Sequence, residues 1–278
     1  MPTSSTGPRA APTSEADDDA ALSRRFPARL NRAVGSTMDR DPEHPIVELG
    51  CPPEKIRVHH LGIDLRRFAF VPRRWDRKSP LKVLLCATFT EKKGLPYALE
   101  ALAKEESLAI TLIGDADDSE RQQEEKAAIL AAIDRYEFGP LVTCTDYLKH
   151  AEILKAAYEH HVFVSPSVTA RDGDTEGGAP VAVCEFAATG MPIVSTRHCD
   201  IRKVVEDGKG AVLAEERDAI GLLQNLARLV YEPALWESLV HTARKRIETH
   251  FDAVAQGRAL AEIYEGVAAG GRSSRAAG

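Results

Sequence analysis

Residues 162–196 read VFVSPSVTARDGDTEGGAPVAVCEFAATGMPIVST. Val162–Ser167 is a short apolar run with β-branched residues, the pattern of a buried strand. Gly173, Gly177 and Gly178 punctuate the loop that follows. The run from Val181 ends at Gly190, so a helix is expected to begin after Pro180 and stop at that glycine. Met191–Thr196 is a second short apolar strand. Two carboxylates mark the unit, Glu176 at the mouth of the glycine loop and Glu185 inside the helix. A purely structural loop uses glycine for positive φ and a carboxylate as a helix cap. A ligand site uses the same parts, with backbone amides at a helix N-terminus and carboxylates that grip hydroxyls. The stretch alone leaves both readings open.

The same alternation continues on either side. Lys55–His60, Leu81–Thr88, Leu108–Gly114, 141–147 and 210–214 have strand character, and 96–105, 120–136, 150–160, Asp218–Tyr231, Pro233–Thr249 and Ala253–Ala268 have helical periodicity. Short, continuously apolar strands alternating with helices predict a parallel sheet covered on both faces. The fold class is therefore α/β, a single doubly wound, Rossmann-like domain. Residues 1–40 and 269–278 are rich in Pro, Ser, Ala and Gly and are expected to be disordered, leaving 41–268 as the compact domain. Such folds bind ligands beyond the C-terminal ends of their strands. Lys92, Lys93 and Gly94 follow one strand, Gly114 another, and Glu176–Pro180 a third. Lysine, amides and carboxylates together suit a ligand that carries both phosphate and sugar hydroxyls.

Composition narrows the class. The chain has 278 residues, 44% hydrophobic and 28% charged, with formal net charge −6, which gives no global attraction to nucleic acid. No apolar run is long enough to span a membrane and no secretory h-region opens the sequence, so a cytoplasmic protein is expected. The 5 cysteines are scattered without a C-x-x-C pair, which argues for a reduced, metal-free chain. Neither G-x-G-x-x-G after a first strand nor G-K-[ST] is present, so dinucleotide and P-loop readings lack their motifs. Cys86 and Cys184 read as small core hydrophobes, and the histidines, among them His59, His60, His160 and His161, as packing or surface residues. Asp115, Asp117 and Asp118 read as a strand-to-helix turn.

The order of motifs resembles the C-terminal, donor-binding domain of a GT-B retaining glycosyltransferase of family 4 (group 1) type. The resemblance spans roughly 48–267 and rests on LGCPPEKIRVHHLGIDLRRF (49–68), LLCATFTEKKG (84–94), the 162–196 stretch and FDAVAQGRALAEIYEGV (251–267). It implies a metal-independent hexosyltransferase whose donor is a nucleotide-sugar substrate, with no other cofactor. Glu185 would hold the ribose hydroxyls, and Glu176 would be the catalytic residue against the donor sugar. The backbone of Gly177, Gly178, Ala179, Pro180 and Val181 would face the sugar and diphosphate, and Lys93 would neutralise the diphosphate. Read without the family, the alternatives are a cap or ion pair for Glu185, a cap or a solvent-exposed carboxylate for Glu176, and a solvated loop lysine for Lys93.

Four departures from the family matter. Eight residues separate Glu176 from Glu185, one more than in the family pair. Thr88 stands five residues before Lys93, where the family has an arginine, and threonine cannot replace a bidentate diphosphate clamp. Arg202 and Lys203 stand where proline and glutamate are usual; they read as a solvated helix face or as extra positive charge. Too few residues precede the family-like linker for an acceptor domain, though STMDRDPEHPIVELG (36–50) resembles the tail of one. The expectation is a split enzyme: a donor component in complex with an acceptor-domain polypeptide, or with itself, through the last helix and its Val254, Leu260, Ile263, Tyr264 and Val267. The competing expectation is a non-catalytic regulatory subunit, or an isolated domain, with a degenerate donor site, which Thr88 favours.

Overall fold

A computed structural model describes residues 50, 56–57, 59–105 and 107–275, with side chains to 266. The segment 1–40, Cys51 and most of the linker-like 41–58 lie outside the described residues.

Six strands form one sheet: β1 (Leu81–Cys86), β2 (Leu108–Ile113), β3 (Val142–Thr145), β4 (Val162–Ser165), β5 (Ile193–Thr196) and β6 (Val212–Ala214). Their order is β3-β2-β1-β4-β5-β6 and every pairing is parallel. The helices are α1 (Leu95–Leu102), α2 (Glu120–Arg135), α3 (His150–Glu159), α4 (Val181–Ala188), α5 (Ile201–Val204), α6 (Ala219–Tyr231), α7 (Ala234–His250) and α8 (Ala253–Arg275). This is the doubly wound α/β domain expected from the alternation.

Strand periodicity divides the core into two layers. Leu81, Val83 and Leu85 of β1, with Val162 and Val164 of β4 and Val194 of β5, pack under Leu99, Ile129, Leu222 and Leu226. Their neighbours Leu84, Phe163 and Ile193 face the opposite layer, with Ala157, Phe186, Ile201 and Ile247. Both faces of β1 are buried from Val83 to Leu85, which is why its sequence is continuously apolar there, with Lys82 alone exposed.

Two boundaries differ from the sequence reading. The described part of Lys55–His60 is not a strand. Instead the segment docks on the α7–α8 turn: Ile63 bridges Asp252, His59 Nε2 lies 2.9 Å from the Gln256 carbonyl, and His60 packs its ring 5.1 Å from that of Phe251. Helix α8 continues to Arg275, past the Ala268 expected, because Ala268 and Ala269 favour helix enough to carry it through Gly270 and Gly271 at a cost of about 1 kcal/mol each. Along α8, Val254 and Tyr264 are exposed and Leu260 and Ile263 half-buried, while the side chain of Val267 lies outside those described. No helix among the described residues is long and apolar enough to cross a membrane.

Helix α4 ends as predicted at Gly190, with φ +83°, where a Cβ would fall 2.9 Å from the Val71 backbone. That close approach admits Arg73, only 7% exposed. Its guanidinium donates to the carbonyls of Ala157 (2.8 Å), His160 (3.2 Å), Thr189 (3.1 Å) and Val71 and to Thr189 Oγ1 (3.3 Å), and it lies over the Tyr158 ring. Burial lowers its pKa to about 10.

Candidate functional site

The strand order reverses between β1 and β4, so the loops leaving these strands diverge and open a crevice at the C-terminal edge of the sheet. Gly94, at φ +61°, brings the two loops together, since a Cβ there would sit 2.0 Å from the Pro166 carbonyl oxygen. The Val168 N–H donates to the Lys92 carbonyl at 2.8 Å and fixes their register. Across this junction Lys93 Nζ donates to both Glu176 oxygens, at 2.8 and 2.7 Å, and Ser167 Oγ donates to Glu176 Oε1 at 2.8 Å. The Glu176 side chain is only 7% exposed. A cleft of about 530 Å³ lies between the loop after β1, the start of α2 and residues 170–174, lined by Thr90, Lys92, Arg121, Asp172 and Asp174 among others but by neither Lys93, Glu176 nor Glu185. A second cleft, of about 440 Å³ between Trp75 and Trp236, belongs to the other edge of the sheet.

Glu185, on α4, is 17% exposed and faces His150, the first residue of α3. His150 Nε2 lies 3.0 Å from both Glu185 oxygens, and Arg67 Nη2 lies 2.9 Å from His150 Nδ1. A guanidinium can only donate, so Nδ1 accepts and the proton sits on Nε2, shared by the carboxylate oxygens. Glu185 also acts on Cys86, whose buried thiol is pushed up to about 11, by burial first and then by the Glu185 charge, against the pull of Lys93. Glu185 and Lys93, the partner of Glu176, thus both act on Cys86 at the end of β1. Cys184 is buried as expected, its thiol raised to about 12 by burial.

The glycine loop is a tight turn. Gly177, at φ +73°, lets the Gly178 N–H reach the Glu176 carbonyl at 2.9 Å, and the Gly177 N–H donates to Thr175 Oγ1 at 3.2 Å. Two of the amides assigned to a ligand are thus engaged within the loop. Beyond Ala179, Pro180 caps α4 with no side-chain bond, which leaves the first-turn amides from Val181 onward for water or an anion. Thr88 lies in the loop after β1, its carbonyl accepting from the Thr90 N–H at 2.9 Å. Lys203 pairs with Asp200 at 3.0 Å and Arg202 is exposed, so neither is tied to Glu176. Asp117 accepts from the N–H of Ser119, the cap of α2, and Asp115 pairs with Lys126 at 2.6 Å. No cluster that could hold a metal ion occurs among the described residues.

Sequence reading missed two residues here. His198, after β5, has a fully buried side chain whose Nε2 accepts the Glu176 N–H at 3.1 Å and whose Nδ1 lies 2.6 Å from Glu216 Oε1, after β6. Glu216 in turn accepts from the Thr169 N–H at 2.7 Å. His160 and His161 do pack as expected, His160 between the Ala156 carbonyl and Thr111. The signal that separates the two kinds of histidine is position: His150 and His198 each follow a strand at its C-terminal end, whereas His160 and His161 precede one.

The family described as "Glycosyl transferases group 1" matches residues 80–232. The chain is 36% identical over 230 residues to the amylovoran biosynthesis glycosyltransferase AmsK of Erwinia amylovora, an alignment covering 81% of this chain and 54% of that protein. It spans about half the length of the curated relatives it matches. Among solved structures, Anabaena Alr3699/HepE in complex with UDP and glucose superposes with TM-score 0.71 at 17% identity, covering 90% of this chain and 66% of that one. The C-terminal domain of a glycosyl transferase group 1 family protein (LpcC) from Francisella tularensis superposes with TM-score 0.57 at 16% identity, covering 69% of this chain and 99% of the other.

Proposed function

The chain belongs to the group 1 glycosyl transferases, and from that premise we propose that the described domain is the C-terminal, donor-binding half of a family 4-type GT-B enzyme that transfers a hexosyl group from a nucleotide-sugar in polysaccharide synthesis. One observation carries the reading: Lys93 and Glu176 meet across the point where the strand order reverses. Glu185 offers a carboxylate for ribose hydroxyls. Glu176 lies against the donor sugar, and Lys93 spends two of its three N–H groups on Glu176, which leaves the third for the diphosphate. The α4 first-turn amides add partial positive charge for the same anion. A glycosyl transfer that retains configuration then relies on this lysine and on amides to stabilise the departing diphosphate, with no metal. The names of the relatives support a polysaccharide product, and the UDP and glucose bound by Alr3699/HepE support UDP-glucose as a donor to try first. An acceptor would be presented by a body beyond the described domain.

Thr88 favours a second reading, a non-catalytic subunit of the same fold, because one cation instead of two faces the diphosphate. Calorimetric titration with UDP, GDP and ADP sugars separates these from no donor site at all. The expected result is weak binding of at least one nucleotide, lost in Glu185→Ala and tightened in Thr88→Arg by roughly 1.5–3 kcal/mol for a charge-assisted contact. Absence of heat with every nucleotide at millimolar concentration sinks the donor-site reading.

A further inference from the structure

We propose that His198 and Glu216 are positioning residues that anchor the backbone of Glu176, and so set where its carboxylate meets the donor sugar. The inference rests on the reading of Glu176 as the group against that sugar.

The loop that carries Glu176 cannot hold it unaided. Gly173 and Gly177 flank it at φ +86° and +73°, so the backbone on each side has little conformational preference of its own. The carboxylate is fixed at its far end by Lys93 and Ser167. The near end is fixed by the bond from the Glu176 N–H to His198 Nε2. An N–H only donates, so Nε2 must carry its lone pair and the ring proton sits on Nδ1, donated to Glu216 Oε1. Glu216 is held in turn by Thr169 N–H at 2.7 Å, by Thr169 Oγ1 at 3.4 Å, and by Arg217, 3.8 Å away. The loops after β4, β5 and β6 are therefore locked to one another, and the lock ends on the Glu176 amide.

A histidine in this place differs from a structural one because its protonation and its anchoring conflict. The titratable or charged groups facing it are Glu216 with Arg217 behind it, Cys199, whose Sγ lies 3.3 Å from Nε2, and Glu176 with its partner Lys93. Burial disfavours the imidazolium, but Cys199 and Glu216 favour it more, and the pKa lies above that of an ordinary histidine. A raised pKa means that the ring adds stability at low pH, which is lost as pH rises through the folded value. The anchor behaves oppositely, since a proton on Nε2 meets the Glu176 N–H head on. Acidification strengthens His198 to Glu216 and releases Glu176.

Two measurements on the full chain test this. In NMR titration the Glu176 amide shift should follow the His198 ring, with a common midpoint that falls in Glu216→Gln. In calorimetry at pH 8, His198→Ala should lower the ratio of UDP-glucose to UDP affinity about 5-fold while UDP itself changes less than about 2-fold, the scale of one hydrogen bond lost. His198→Gln, whose amide oxygen can accept the same N–H, should restore the ratio. Equal loss of both affinities, an unchanged ratio, or a Glu176 amide indifferent to the His198 titration overturns the proposal. If the unmodified chain binds neither nucleotide, the donor reading fails and the amide titration decides the anchor alone.

Discussion

Helix α4 has a buried charge at each end, and the two are held in opposite ways. Beyond its N-terminus Glu176 meets a cation, Lys93, supplied by another loop. Beyond its C-terminus Arg73 meets no carboxylate; its donors go to carbonyls at the ends of α3 and α4, where the helix dipoles are negative. The first arrangement keeps two ionised side chains in reach of a crevice, and a ligand can exchange with either. The second uses up every bond the guanidinium can make and leaves nothing for a ligand. A buried charge satisfied by backbone is a staple, and one satisfied by another mobile side chain is a candidate site.

The largest expected effect is at the staple. Arg73→Ala leaves the carbonyls of Ala157 and His160 without the guanidinium, while that of Thr189 keeps the Val71 N–H, and unsatisfied buried acceptors cost about 1–3 kcal/mol each before relaxation. A loss on the order of 3–5 kcal/mol is expected, read as a lower urea midpoint with an unchanged slope. Arg73→Lys should recover little, because an ammonium has three donors on one nitrogen and cannot span the five acceptors that the guanidinium fork reaches. An unaltered midpoint breaks the comparison at its stronger end.

That staple also shows where sequence reading stops. The alternation of short apolar runs with helical periods was enough for the parallel sheet, because β1 and β4 are buried on both faces and their composition says so. Glu176 and Lys93 could be singled out because charges beside glycines in strand-end loops are a pattern, and Glu185 because it sits inside an otherwise apolar helix start, while the roles given to them rest on the resemblance. Arg73 was not, since its partners are backbone carbonyls and leave no trace in residue identity. His198 and Glu216 were not either: they are far apart in the chain and meet only because β5 and β6 lie side by side. The strand expected at Lys55–His60 failed for a related reason, as His60 and the following Ile63 find their partners on Phe251 and the α8 start and not in a ladder.

At the other end of α4 the expected effect is intermediate and coupled. Lys93→Met strips a nearly buried carboxylate of its cation, for which about 2–3 kcal/mol is expected after discounting for the partial exposure of Lys93. Glu176→Gln, which keeps the Ser167 bond, should cost about 1 kcal/mol. The double variant should cost less than the sum by about 1–2 kcal/mol, since the second change removes the stranded charge that the first creates. Strict additivity across the cycle, measured by denaturant unfolding, shows that Lys93 and Glu176 do not act as a pair and removes the basis for treating this end as a site.

The smallest effect is expected between the two ends, at Glu185. Its carboxylate is more exposed than that of Glu176, and its partner His150 is itself over a third exposed, so water can replace what His150→Ala removes. Arg67, freed from Nδ1, can turn to solvent without stranding a buried group. The stability loss should therefore stay below about 1 kcal/mol, in the range of exposed polar contacts. The same substitution unlocks the carboxylate without deleting it, so nucleotide affinity should change by no more than about 3-fold, whereas Glu185→Ala abolishes it. Melting temperature and calorimetry on the two variants place Glu185 on the scale. If His150→Ala destabilises the domain as much as Lys93→Met, Glu185 is held as a structural charge like Arg73, and the division between staple and site runs elsewhere along α4.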